Sequence, residues 1–204
     1  MALRLTAHRG AGGGPNPAGL LLLLPLLLLT ACPDDDATVS TDETTTSSST
    51  TTTTALVATP LPASGPTGTT RGYLKDVRVA TQAGFDRVVF EFEDALPGYE
   101  VSTVEGPVHE DGSGDEVKVD GEALLQVRFE NAAMARIEGE KVVRVYTGPD
   151  RVRGGGTDVV VEAVDIGDFE GTVTWVVGLR RSGDVRVTTL DGPHRLVVDV
   201  ATDS

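Results

Sequence analysis

The chain is expected to be all-β, an antiparallel β-sandwich of two small sheets, preceded by a signal peptide and a disordered tether. Three observations predict this. Apolar and polar residues alternate with period two from Gly72 to Val200, turn residues interrupt the alternation at intervals, and no long stretch shows the 3.6 period of an amphipathic helix. About 130 residues suffice for one domain that buries roughly two-thirds of its unfolded surface, and the domain is expected over residues 71–201.

The strands follow in order. Val77 and Val79 flank Arg78, and Val88, Phe90 and Phe92 alternate with Val89, Glu91 and Glu93. Leu125, Val127 and Phe129 face away from Gln126, Arg128 and Glu130. Val143, Val145 and Thr147 form another run, as do Val159, Val161 and Ala163. Val173, Trp175, Val177 and Leu179 come next, then Val185, Val187 and Thr189, then Leu196, Val198 and Val200. Each run reads as a half-buried strand with one wet face. Between them lie Ala83-Gly84, Pro97-Gly98, Asp111-Gly112-Ser113-Gly114, Gly139-Glu140, Gly154-Gly155-Gly156, Ser182-Gly183-Asp184 and Asp191-Gly192-Pro193, all turn chemistry. Ser182-Gly183-Asp184 reads as a hairpin, and Ala132 to Ile137 as a single turn of helix.

The first 31 residues have the anatomy of a secretory signal: Arg4 and Arg9, then a Leu-rich run from Leu20 to Leu29 broken once by Pro25. As a helix, Ala18 to Ala31 reaches only about 20 Å, short of a hydrocarbon core of about 30 Å. No twin-arginine pair precedes the run, so export of an unfolded chain is expected. Residues 32–70 then form the expected tether. Thr44 to Thr54 is an unbroken Thr/Ser run, followed by Pro60, Pro62, Gly65, Pro66 and Gly68, with too little to bury to fold alone. Nearly 40 residues span at most about 120–140 Å when extended. The hydroxyl run is also a candidate for O-glycosylation.

Cys32 is the sole cysteine, so it has no intramolecular disulfide partner. Leu29-Thr30-Ala31-Cys32 resembles the lipobox of bacterial lipoproteins. That resemblance implies a diacylglycerol on the sulfur, cleavage before Cys32, and an extracytoplasmic domain anchored to the cell membrane. Cleavage would remove two of the 17 basic residues and none of the 31 acids, leaving a formal charge of −16. This sign argues against nucleic acid as a partner, and against adhesion to anionic polymers through a broad basic face.

No reactive constellation is legible. The histidines are His8, His109 and His194, with neither HExxH nor His-x-His spacing, so no metal or cofactor is expected. Ser102 and Ser113 lack a Gly-x-Ser-x-Gly elbow. Acids are too numerous for one catalytic pair to stand out. Glu110 to Glu116 places oxygens at alternate positions, as a calcium loop would, but lacks the full spacing and reads as a solvated acidic hairpin. Gly154-Gly155-Gly156 reads as a hairpin connection rather than a phosphate cradle.

Asp86-Arg87-Val88-Val89-Phe90-Glu91-Phe92 has a counterpart in His194-Arg195-Leu196-Val197-Val198-Asp199-Val200. A shared role would set both strands in one sheet, with arginine and acid on one side. Arg87 and Arg195 then form either a cross-strand ion-pair ladder or a groove for peptide carboxylates. Tyr99, Arg180 and Arg181 are further candidates for that surface. Trp175 is either core, as its alternation indicates, or a stacking platform for a sugar.

Beyond the Asp86–Phe92 strand, Pro97-Gly98-Tyr99, Asp168-Phe169-Glu170-Gly171, Thr174-Trp175-Val176-Val177-Gly178-Leu179 and the closing run from Leu190 to Val200 complete a pattern. It resembles the AMIN-like domain of actinobacterial lipoproteins, a relative of the AMIN module of cell-wall amidases. The resemblance implies a non-catalytic sandwich that binds or scaffolds at the cell wall, with peptidoglycan or envelope proteins as partners. No amidase sequence follows Val200, so targeting without an attached enzyme is expected. The alternatives are a module docking an envelope enzyme or transporter through a sheet edge and, third, an unrecognised enzyme.

Overall fold

The computed structural model describes residues 56–203; the expected signal peptide, Cys32 and the tether up to residue 55 lie outside the described residues. Fifteen strands, numbered along the chain, account for the described fold, and no helix occurs among the described residues. One sheet has six strands in the order β1 (Ala63–Gly65), β4 (Gly98–Val104), β7 (Ala123–Glu130), β13 (Thr172–Leu179), β12 (Val160–Phe169) and β11 (Arg151–Arg153). The other has five: β14 (Val185–Leu190), β15 (His194–Ala201), β3 (Phe85–Glu93), β2 (Gly72–Gln82) and β8 (Ala132–Ala133). Two ribbons stand apart, β5 (Val108–His109) with β6 (Glu116–Val117), and β9 (Ala135–Glu138) with β10 (Lys141–Arg144). All pairings are antiparallel except β2 with β8.

The predicted alternation sets the core. Val88, Phe90 and Phe92 of β3 and Leu196, Val198 and Val200 of β15 meet Leu125, Val127 and Phe129 of β7 and Val173, Trp175, Val177 and Leu179 of β13. Aromatic rings meet edge to face across it: Phe129 lies 5.2 Å from Phe90 and 4.8 Å from Phe92, and Trp175 lies 6.1 Å from Phe90 and 5.6 Å from Tyr146. Such pairs add about 0.5–1.5 kcal/mol each beyond area burial. Trp175 is fully buried. The platform reading of this residue therefore fails, and the apolar face of β13 is the reason.

β13 is buried on both faces. Its outward Val176 packs with Ile166 and Val108, and with half-buried Val104, Val117, Val119 and Leu124. These come in part from an arm, residues 105–122, that carries the β5–β6 ribbon and folds over the outer face of the six-stranded sheet. The sandwich is thus locally three layers thick.

Several sequence expectations change. Ser182-Gly183-Asp184 is not a hairpin: β13 pairs with β7 and β12, and β14 with β15, so this turn carries the chain from one sheet to the other. Ala132 to Ile137 is β8 and the start of β9 rather than a turn of helix, because Ala132 and Ala133 find backbone partners in Gly72 and Tyr73. Val143 sits on the exposed β10, and Tyr146, not Val145 or Thr147, enters the core against Trp175. A register shift between Val160 and Glu162 moves Val161 off the buried face.

Part of the expected tether is folded. The Thr59 amide donates to the Val185 carbonyl at the edge of β14, Leu61 packs against the core, and β1 pairs with β4. Residues 59–65 therefore cross from one sheet to the other. Replacing Trp175 by alanine is expected to cost about 3–5 kcal/mol; urea unfolding followed by circular dichroism measures it, and a loss under 1 kcal/mol contradicts the core placement.

Candidate functional site

The outer face of the five-stranded sheet brings the two look-alike strands together. β3 and β15 are antiparallel neighbours, so each arginine stands opposite the other strand's acid: Arg87 opposite Asp199, and Arg195 opposite Glu91. Only the first pair closes. Arg87 forks onto Asp199 with Nε–Oδ1 2.7 Å and Nη2–Oδ2 3.0 Å, and Arg186 of β14 joins from the other side at 2.6 Å. Both guanidiniums also lie over the Phe85 ring, 5.1 and 5.5 Å from its centre. The hydrogen-bonded Asp199 carboxylate holds the Arg87 guanidinium above the usual arginine range. Glu91 instead pairs with Arg78 of β2, and Arg195 turns back to donate to the Pro193 carbonyl. This face is therefore an ion-pair lattice built around a buried aspartate, with Arg87 already engaged.

Two further buried carboxylates tie segments together. Asp86 accepts from the Val159 and Val160 amides at 2.6 and 3.0 Å, joining β3 to the start of β12 across the sandwich. Glu162, outward on β12 but fully buried, pairs with Arg151 and accepts from the Asp120 amide at 2.8 Å, while Arg151 also donates to the Lys118 carbonyl. This clamp presses the arm's return onto the sheet. Gly178 makes room for it, since a Cβ there would come within 2.0 Å of the Asp120 carbonyl oxygen.

At its other end the arm roofs an open hollow of about 220 Å³ lined by Asp111, Gly112, Arg128, Phe169, Glu170 and Thr172. Asp111 fixes the roof. Its carboxylate accepts from the Thr174 hydroxyl at 2.6 Å, and its amide donates to the Ile166 carbonyl. Phe169 is held at the rim by the tight β12–β13 turn, in which Glu170 and Gly171 both have positive φ (51° and 79°), the geometry of a type I′ hairpin. It is half exposed, the most open ring of the nine aromatic residues. Arg128 is exposed beside it and makes no ion pair among the described residues, and the Arg71 guanidinium lies over Gly171.

The residues expected to form one binding surface are dispersed. Tyr99 is half-buried under β1, its ring occupying the space a side chain at Gly65 would need. Arg180 lies past the end of β13, opposite the Phe169 turn, in an open hollow of about 490 Å³ with Asp120, Gly121, Glu122 and Val161. The Arg181 guanidinium donates to the Thr202 carbonyl. The acidic loop is tied internally: Ser113 donates to Glu110 at 2.7 Å, and Asp111 is engaged by Thr174. Among the described residues, no group of three His, Cys, Asp or Glu is placed to hold a metal. Sequence reasoning missed Phe169 and Arg128; the available signal was an aromatic residue directly before a Glu-Gly turn.

Asp165 stands at the edge of the core. Burial pushes its carboxyl up to about 6, with Asp150 and Asp168 adding to the rise, while the Gly167 amide and Arg144 oppose it. A carboxyl with a folded pKa above its unfolded value of about 3.9 stabilises fully below that value and loses the contribution as pH rises toward 6. Asp165→Asn is therefore expected to remove a decline in stability between about pH 4 and 6 that the parent shows, read from urea midpoints across pH. Asp199→Ala leaves two arginines without their buried partner and is expected to cost about 3 kcal/mol; a change under 1 kcal/mol in the same assay contradicts the lattice.

No curated protein and no solved structure matches the chain. The AMIN-like domain family matches residues 72–202. That match opens on the first residue of β2, closes one residue after β15 and takes in every strand but β1, with the arm and the Phe169 turn, and by it the chain belongs to the AMIN-like domain family.

Proposed function

We propose that this protein is a non-catalytic cell-envelope lipoprotein, anchored to the membrane through lipid on Cys32, whose AMIN-like domain binds the cell wall. The observation that carries this reading is the family match from β2 to the end of β15, since AMIN-like domains are extracytoplasmic, cell-wall-related binding modules. The geometry supports it. Asp199 is held through both oxygens by arginines, and Asp86 and Glu162 each through one oxygen by backbone amides or an arginine, which suits architecture. The Leu29-Thr30-Ala31-Cys32 sequence supports attachment by lipid.

A second reading, docking of an envelope protein, is favoured by the β9–β10 ribbon. Its cross-strand partners Ile137 and Val142 are 78% and 73% exposed, while Arg136 anchors the base against Glu93 and over the Tyr73 ring. Exposed aliphatic pairs on a braced ribbon suit a protein partner.

Sedimentation with purified peptidoglycan sacculi separates the two. Wall binding predicts that the mature protein pellets with sacculi at low and moderate salt; retention in the supernatant under both conditions rejects it. Cys32→Ala is expected to move the protein from the membrane fraction to the soluble extracytoplasmic fraction and to abolish the lipid mass increment. Unchanged membrane association contradicts the anchor.

A further inference from the structure

We propose that the hollow beneath the arm is a subsite for a neutral glycan, reading sugar hydroxyls and the apolar face of a pyranose ring rather than peptide carboxylates. The inference rests on the wall-binding reading and names the part of the polymer that is gripped.

The first argument is charge. Among the lining residues, Asp111 and Glu170 face Arg128, with a second guanidinium, that of Arg71, over Gly171 at the rim. On the same face, Glu100 stands directly across from Arg128 on the neighbouring strand. Glu130, two residues along β7, stands across from Thr172. A carboxylate placed on Arg128 would face these acids at short range, a juxtaposition that costs affinity. A hydroxyl has no such conflict, because it donates to a carboxylate and accepts from a guanidinium at once.

The second argument is shape and surface. The Phe169 ring has no polar atom to satisfy, and it is half exposed at the rim of a concave surface. The Gly112 backbone lies close against it, where a Cβ would come within 3.3 Å of the ring. The ring is thereby supported from the arm side. A flat apolar patch ringed by an acid, a guanidinium and a hydroxyl matches a pyranose, which carries C–H groups on one face and hydroxyls around its edge. The volume of about 220 Å³ lies below the roughly 300–1,000 Å³ of sites that enclose drug-sized ligands, and fits one ring of a longer chain with its neighbours running into solvent.

The third argument is rigidity. The Asp111–Thr174 hydrogen bond, the Asp111 amide to Ile166, and the tight Glu170-Gly171 turn fix both walls through the backbone of β12 and β13. The site is formed before any ligand arrives, so little ordering opposes binding.

The test uses the mature protein and three probes: a tetramer of N-acetylglucosamine, a neutral acetylated dialanine amide, and the same dialanine with a free carboxylate. Amide chemical shifts are followed by NMR titration. The expected result is that the oligosaccharide shifts the amides of Gly112, Arg128 and Phe169 to Thr172, while neither peptide does so at equal concentration. Phe169→Ala is expected to weaken oligosaccharide binding about tenfold or more, as loss of an aromatic anchor does, and Phe169→Trp to retain it. Because Phe169 is at the surface, amide dispersion of each variant verifies that the fold is intact. Saturable binding of the acidic dialanine at these amides, or oligosaccharide binding that Phe169→Ala leaves unchanged, overturns the proposal. If sacculi are bound yet the oligosaccharide shifts nothing here, the glycan subsite fails and wall binding stands. If the oligosaccharide binds here while sacculi do not, wall binding fails and the subsite stands.

Discussion

The double burial of β13 is the constraint on which the rest of the molecule depends. Its inward side chains, with Trp175 at the centre, close the core between the two sheets. Its outward Val176 would expose an apolar stripe in a two-layer sandwich. Covering that stripe requires a third layer, supplied by the arm of residues 105–122. Once the arm lies on the sheet, its backbone must approach β12 and β13 closely, and Gly178 and the Glu162 clamp make that approach feasible. The hollow at Phe169 follows from the same arrangement, because the arm's acidic loop ends where the β12–β13 turn begins.

Charge in this domain serves mainly to hold segments in register. Asp86, Glu162 and Asp199 are all removed from water, and each is met by hydrogen-bond donors from a different part of the chain. Breaking such a group from its partners is costly because it strands a charge in a poorly polarisable interior. An acidic protein can therefore devote several carboxylates to architecture. Arg128, on the outer face of the six-stranded sheet, makes no ion pair among the described residues, whereas Arg151 on the same sheet is held by Glu162.

The alternation of apolar residues made most of the strands legible, because the period of a strand is two and the chain keeps to it in β3 and β7, whereas β13 and β15 are buried on both faces. It failed where tertiary structure shifts the phase. The irregularity beside Val161 and the insertion of Tyr146 between Val145 and Thr147 are both set by contacts with distant residues. The hairpin expected at Ser182-Gly183-Asp184 shows a different limit: turn chemistry reports that the chain reverses, not whether the next strand joins the same sheet. The candidate site was least legible. Arginines and a tryptophan drew attention by residue type, yet Trp175 was needed inside and Arg87 by Asp199. The ring left at the surface was Phe169, marked only by its place before a turn.

By itself the sequence determined the class of fold, the likeness of the Arg87 and Arg195 strands, and the family pattern. These rest on local periodicity and on the identity of residues within short runs. The tertiary structure alone decided which strands share a sheet, that part of the expected tether is built into the sandwich, and that an arm covers one sheet to form a hollow at Phe169. The physical reason is that each of these depends on which distant surfaces must be buried together, and burial is a property of the assembled molecule rather than of any segment.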